Sequence, residues 1–251
     1  MCGYYRYKVT ISYDGTNYGG WQKQPNTNSI QEEIECVLSK MLKEDVIITA
    51  SGRTDAKVHA LGQVFHFDSN KQLEENNWKK ALNSLLPRDI RVQSVKAVHQ
   101  DFHARFDAVE KRYDYLITDD VDNPFVENYM AKDTKQLDVA YMQECANVFI
   151  GTYDFTSFTS NKIDPRKPRV KTISKLEIVK EGRNIRMIFV GTGFLRYMVR
   201  MISQTLIEAG KQRLTKEEIK DMLDSKDKHA CRHKAPPQGL YLVHVRYKDD
   251  K

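Results

Sequence analysis

Tyr5-Arg6-Tyr7-Lys8-Val9-Thr10-Ile11-Ser12-Tyr13 sets an aromatic or aliphatic residue at every second position and a polar one between. A period of two is the pattern of a strand with one face buried. Asp14-Gly15-Thr16-Asn17 ends it with turn chemistry. Ser29 then opens a helix, with Glu32 three residues on as a capping-box partner. Ile30, Ile34, Val37, Leu38, Met41 and Leu42 fall on one face of it. Working outward, a short strand is expected near Val46–Thr49 and another through Val64–Phe67. A helix carrying Leu73, Trp78, Ala81, Leu82 and Leu85 stops before Pro87, and a strand follows over Ile90–Val98. The order is βαββαβ.

The same order returns in the second half. Lys111–Thr118 reads as a strand and Leu137–Ile150 as a helix. Strands over Val170–Val179 and Arg183–Val190 meet at a Glu181-Gly182 turn, a hairpin signal. A helix is expected from Phe194 to Ala209, a short one near Lys216–Leu223, and a closing strand over Tyr241–Tyr247. The pattern predicts an α+β fold of two tandem ferredoxin-like (RRM-like) halves, residues 1–104 and 105–251. Sheets joined edge to edge would make a mainly antiparallel mixed sheet with a central cleft. RNA-recognition modules stack unpaired bases on sheets of this type, although neither half has a full RNP motif.

Composition narrows the classes. The 251 residues carry 40 Lys+Arg against 34 Asp+Glu, a formal charge of +6, and 40% hydrophobic residues, which fits a globular chain with a real core. No apolar run approaches the ~20 residues of a membrane helix. The start, Met1-Cys2-Gly3-Tyr4, lacks the apolar core of a secretory signal, so a cytoplasmic protein is expected. Cys2, Cys36, Cys145 and Cys231 form no C-x-x-C pair and read as reduced, buried thiols. His229-x-Cys231-x-His233 stands beside Arg232 and Lys234 without a convincing fourth ligand, so no metal site is assigned. Residues 1–104 hold 13 basic and 12 acidic side chains, so most of the excess charge lies beyond them. Lys162, Arg166, Lys167, Arg169 and Lys171 face only Asp164, a run that suits either a polyanion or a solvated loop.

Three segments carry candidate chemistry. Ser51-Gly52-Arg53-Thr54-Asp55-Ala56-Lys57-Val58 places one arginine and one carboxylate among small residues between two strands. Loops on a rigid frame commonly hold function; an ordinary turn with Asp55 bonded to nearby amides is the other reading. Phe102-His103-Ala104-Arg105-Phe106 precedes Arg112-Tyr113-Asp114-Tyr115, where alternation sets both tyrosines on one face, as core or as site. In Phe194-Leu195-Arg196-Tyr197-Met198-Val199-Arg200 the two arginines, four apart, would share a helical face.

Six segments in order resemble the tRNA pseudouridine synthase A (TruA) family: Tyr13-Asp14-Gly15-Thr16-x-Tyr18-x-Gly20-Trp21-Gln22, Gly52-Arg53-Thr54-Asp55, Phe102-His103-Ala104-Arg105-Phe106, Arg112-Tyr113-x-Tyr115, Phe194-Leu195-x-x-Met198-Val199-Arg200 and Gly239-Leu240-Tyr241-Leu242. The likeness runs from about Tyr7 to Tyr247. It implies a pseudouridine synthase fold and an isomerase that converts uridine to pseudouridine in the tRNA anticodon arm. It implies no metal or organic cofactor, and a homodimer. By resemblance Asp55 is the catalytic carboxylate and Arg200 the arginine that pairs with it. Tyr113 matches the family tyrosine that packs on the target uracil, and Arg53 the residue that occupies the space the flipped base leaves. The family loop usually has glycine at the position of Lys57; a positive φ there would burden lysine with a steric penalty.

Such a reaction breaks the ribose C1′–N1 bond, turns the base and joins C1′ to C5, after the nucleotide has left its stack. A carboxylate can serve as nucleophile at sugar or base, or remove a ribose proton. Two other classes stand beside this one. A non-catalytic RNA-binding protein with duplicated sheet modules explains charge and aromatics but leaves Asp55 idle. A glycoside hydrolase would use two opposed carboxylates, and the loop holds only one.

Overall fold

Strand β1 (Tyr5–Tyr13) buries Tyr7, Val9, Ile11 and Tyr13 and turns its polar residues to the other face. It is paired antiparallel on both sides, with β3 (His59–Ser69) and β4 (Ile90–Val98). The short β2 (Thr49–Ala50) adds antiparallel to β3. Helix α1 (Ile30–Leu42) is capped by the Ser29 side chain, which accepts from the Glu32 N–H. It ends at Lys43, which adopts the left-handed conformation. Helix α2 (Glu75–Leu85) buries Trp78 and Leu82; the Trp78, Tyr7 and Phe67 rings meet at centroid distances of 5.2–5.5 Å. These strands realise the expected βαββαβ half.

The computed structural model describes residues 4–160 and 168–248, which form two compact units. The first holds the chain through Val109 together with the segment from Leu242, and the second spans Glu110–Tyr241. Strand β10 (Leu240–Tyr247) therefore contributes most of its residues to the first.

The second unit is built on β5 (Ala108–Thr118), β9 (Asn184–Gly191), β8 (Val170–Glu181) and β7 (Gly151–Asp154), each antiparallel to the next. A two-residue Gly182-Arg183 loop joins β8 to β9, and Gly182 supplies the positive φ such a loop needs. Two small strands escaped the sequence pattern, β7 and β6 (Ala131–Lys132), the latter parallel to β5. They are too short to show a period. Helix α3 (Val139–Ala146) is shorter than expected: the chain tightens into a 3-10 turn over Asn147–Phe149 before Gly151, whose φ is 133°. Helices α4 (Met198–Gly210) and α5 (Lys216–Ser225) follow.

Two expectations are corrected. Helix α4 starts at Met198, not Phe194, because Tyr197 sits at φ 67° and breaks the helical path. Arg196 and Arg200 thus do not share a helical face. Cys145 and Cys231 are buried thiols as expected, but Cys36 is exposed. Among the described residues no helix is long and apolar enough to cross a membrane.

Candidate active site

The loop between β2 and β3 is fixed by main-chain bonds at three places. The Ser51 N–H donates to the Val64 carbonyl at 2.7 Å, the Trp21 N–H to the Thr54 carbonyl at 3.1 Å, and the Lys57 N–H to the Tyr18 carbonyl at 3.2 Å. Side chains add to this. The Ser51 hydroxyl and the Val64 N–H both donate to Gln63 Oε1, and Gln63 Nε2 donates to the Gly52 carbonyl. Tyr13 and Thr54 hydroxyls bond at 2.8 Å, and burial lifts the Tyr13 hydroxyl far above its ordinary pKa. Ser51, Thr54 and Val58 are buried, Asp55 is half-buried and Arg53 is exposed. The loop is anchored by its small residues and presents its charged ones.

The segment Tyr13–Gln22 is the bed on which this loop rests. A Cβ on Gly15 would lie 2.1 Å from the Val58 carbonyl oxygen, and one on Gly20 would lie 2.7 Å from that of Thr54. Gly20 also holds φ at 104°. Thr16 donates to Asp14 Oδ1 through both its N–H and its hydroxyl, closing the turn after β1. Tyr18 donates to Asp89 at 2.7 Å; burial, with that carboxylate beside it, raises its pKa strongly. The sequence marked this motif as characteristic without showing its task, because the task is performed by main-chain atoms and by absent side chains. Lys57 takes φ 64°, the left-handed conformation in which glycine would be unstrained.

In the second unit Tyr113, on β5, is 8% exposed, and its ring meets that of Phe194 edge-on at 5.2 Å. Tyr115 is fully buried, donates to the Pro236 carbonyl and has its pKa raised by burial. Both tyrosines are buried, Tyr115 completely and Tyr113 with a small residual exposure. Arg200 lies in the first turn of α4 and is 7% exposed; its Nε donates to the Ala235 carbonyl at 2.8 Å, and the Ala235 N–H returns a bond to the Arg200 carbonyl. Around the Tyr197 ring stand Lys234 Nζ at 3.8 Å, Arg196 Cζ at 4.8 Å and Arg200 Cζ at 5.6 Å. Cations at a helix N-terminus oppose the helix dipole. Their gathering suits an environment that supplies negative charge, such as a carboxylate or a phosphate. In the sequence Lys234 counted only against a metal site beside His233, with no sign of its place at the Tyr197 ring.

Asp55 and Arg53 thus sit together on one loop of the first unit, while Tyr113 and Arg200 belong to the second. The basic residues Lys162, Arg166 and Lys167, and Asp164 among them, lie outside the described residues.

The profile of a family described as tRNA pseudouridine synthase matches residues 9–107 and 145–248. A tRNA pseudouridine synthase A from Oceanobacillus iheyensis is 42% identical over 247 residues, 98% of each chain. The protein of that name from Lysinibacillus sphaericus is 45% identical, covering 96% of this chain and 99% of its own, and that from Bacillus subtilis is 41% identical over the same shares. Among solved structures, a chain of a Cbf5-Nop10-Gar1 complex aligns at 13% identity with a TM-score of 0.38, covering 96% of this chain and 59% of that one.

Proposed function

The chain belongs to the tRNA pseudouridine synthase family, and from that premise we propose that Asp55 is the carboxylate with which it isomerises uridine in the anticodon arm of tRNA. The observation that carries this reading is the Asp55 loop itself. Its backbone is bonded on both sides to neighbouring segments, while its carboxylate-bearing residue remains half-buried rather than enclosed. A fixed carboxylate at a partly open surface is preorganised for a single bond in a bound substrate.

The reaction begins with cleavage of the ribose C1′–N1 bond. The uracil turns, C1′ joins C5, the C5 proton departs and N1 gains one, so every atom of the substrate is retained apart from exchange of protons. Asp55 acts at the sugar or the base. Arg200 supplies the guanidinium that the family pairs with its aspartate, which orients a carboxylate and keeps it ionised. Tyr113 offers its ring to the uracil and its hydroxyl to the late loss of the C5 proton. Arg53, exposed on the same loop, takes the space the flipped base vacates. The family resemblance further supports a homodimer, which light scattering of the purified protein would register as twice the chain mass.

The decisive measurement is pseudouridine mapping on unmodified tRNA treated with wild type and with Asp55→Asn. The variant is expected to form none while retaining most of its tRNA affinity, because phosphate contacts dominate binding and Asp55 acts at one bond. Substantial turnover by Asp55→Asn would remove the residue from this role.

A further inference from the structure

Phe106 is 75% exposed, and its charged neighbours Arg105 and Asp107 are exposed as well. Its backbone is held firmly. The His103 N–H donates to Asp107 Oδ2 at 2.7 Å, and the Asp107 N–H returns a bond to the His103 carbonyl at 3.0 Å. His103 Nδ1 accepts from the N–H groups of Arg105 and Phe106 at 3.1 and 3.3 Å. The middle of the segment is pinned to the sheet: the Ala104 N–H donates to His66 Nδ1, and the Tyr247 hydroxyl donates to the Ala104 carbonyl at 2.6 Å. The His103 ring lies 4.2 Å from that of Phe106, inclined by 31°, and the Arg105 guanidinium carbon stands 5.8 Å from the Phe106 centroid.

We propose that Phe106, backed by His103 and flanked by Arg105, is a stacking platform for an unpaired base of the RNA, and so a substrate-positioning residue; this rests on the tRNA-modifying reading above. Every nucleobase has a π-face, so a rigid exposed ring binds one without reading its identity. The tight turn has already fixed the backbone that carries the ring, so stacking has only the side chain left to order. Arg105 adds a cation beside the ring that a backbone phosphate can neutralise.

The test uses Phe106→Ala and Phe106→Trp. The two native tryptophans, Trp21 and Trp78, are 2% and 0% exposed, so a tryptophan at position 106 reports separately. Phe106→Ala is expected to raise the KM for unmodified tRNA roughly ten-fold, with kcat changed far less and thermal stability unaltered. Phe106→Trp is expected to keep the wild-type KM, and its added fluorescence to be quenched as tRNA is titrated in. A wild-type KM in Phe106→Ala, or no quench in Phe106→Trp, overturns the proposal. So does loss of a protein dimer in Phe106→Ala, which would assign the ring to a second copy of the chain. Failure of the tRNA reading itself would look different: wild type would neither bind tRNA nor form pseudouridine.

Discussion

Lys57 occupies a left-handed backbone position in the loop that carries Asp55. An L-residue with a Cβ pays roughly 1–2 kcal/mol for that conformation, and glycine returns about 0.5–1 kcal/mol of it through its freer unfolded state. Lys57→Gly is therefore expected to raise stability by about 0.5–1 kcal/mol. Its N–H bond to the Tyr18 carbonyl is a main-chain bond and survives the change. Urea denaturation of the two proteins measures it; an equal or lower midpoint for the glycine variant would show that the side chain contributes a compensating contact. The glycine usual at this place in the family loop raised the question of a positive φ here without answering it. For Tyr197 the question did not arise, since nothing in an aromatic side chain announces a positive φ.

Element by element, what the sequence revealed depended on how much the side chains carried. Strand β4 falls on its expected bounds, and α1 on its Ser29 cap, because burial period and cap chemistry are written in side chains. The start of α4 was misread because Phe194 and Leu195 continue an apolar pattern that the backbone abandons at Tyr197. The Asp55 loop was visible as an oddity of composition, but its support by Gly15 and Gly20 is a matter of close backbone approach that no periodicity encodes. Strand β3 offers a pH-dependent test of a different support, that of the Phe102–Phe106 segment by His66. His66 is 6% exposed, and burial, with Arg6 and His103 acting in the same direction against Asp68 and Asp107, pushes its pKa down to about 4. Unfolding restores an ordinary value near 6.5, so the unfolded chain binds a proton that the folded one refuses. Stability should fall as pH is lowered from 6.5 towards about 4. His66→Asn, which keeps an acceptor for the Ala104 N–H, should show a shallower fall; equal slopes for both proteins would place the titration elsewhere.

For the whole molecule the controlling quantity is charge. A chain of net +6 acting on tRNA gains affinity by releasing counterions, so log affinity should fall linearly and steeply with log salt. Replacing Arg166, Lys167 and Arg169 together by glutamine should make that slope shallower by up to about three. An unchanged slope would identify the run as a solvated loop with no phosphate contact.

The three main-chain bonds that hold the Asp55 loop also decide which partner moves. A loop tied to β3 at Ser51, to Trp21 at Thr54 and to Tyr18 at Lys57 is not a lid. On the proposed role of Asp55, the deformation needed to bring a uridine to it falls on the RNA, whose stack must open. Amide hydrogen exchange makes this visible: Ser51, Trp21 and Lys57 should exchange slowly in the free protein, before any RNA is added. Rapid exchange there, slowed only by tRNA, would mean instead that the loop is assembled around its substrate.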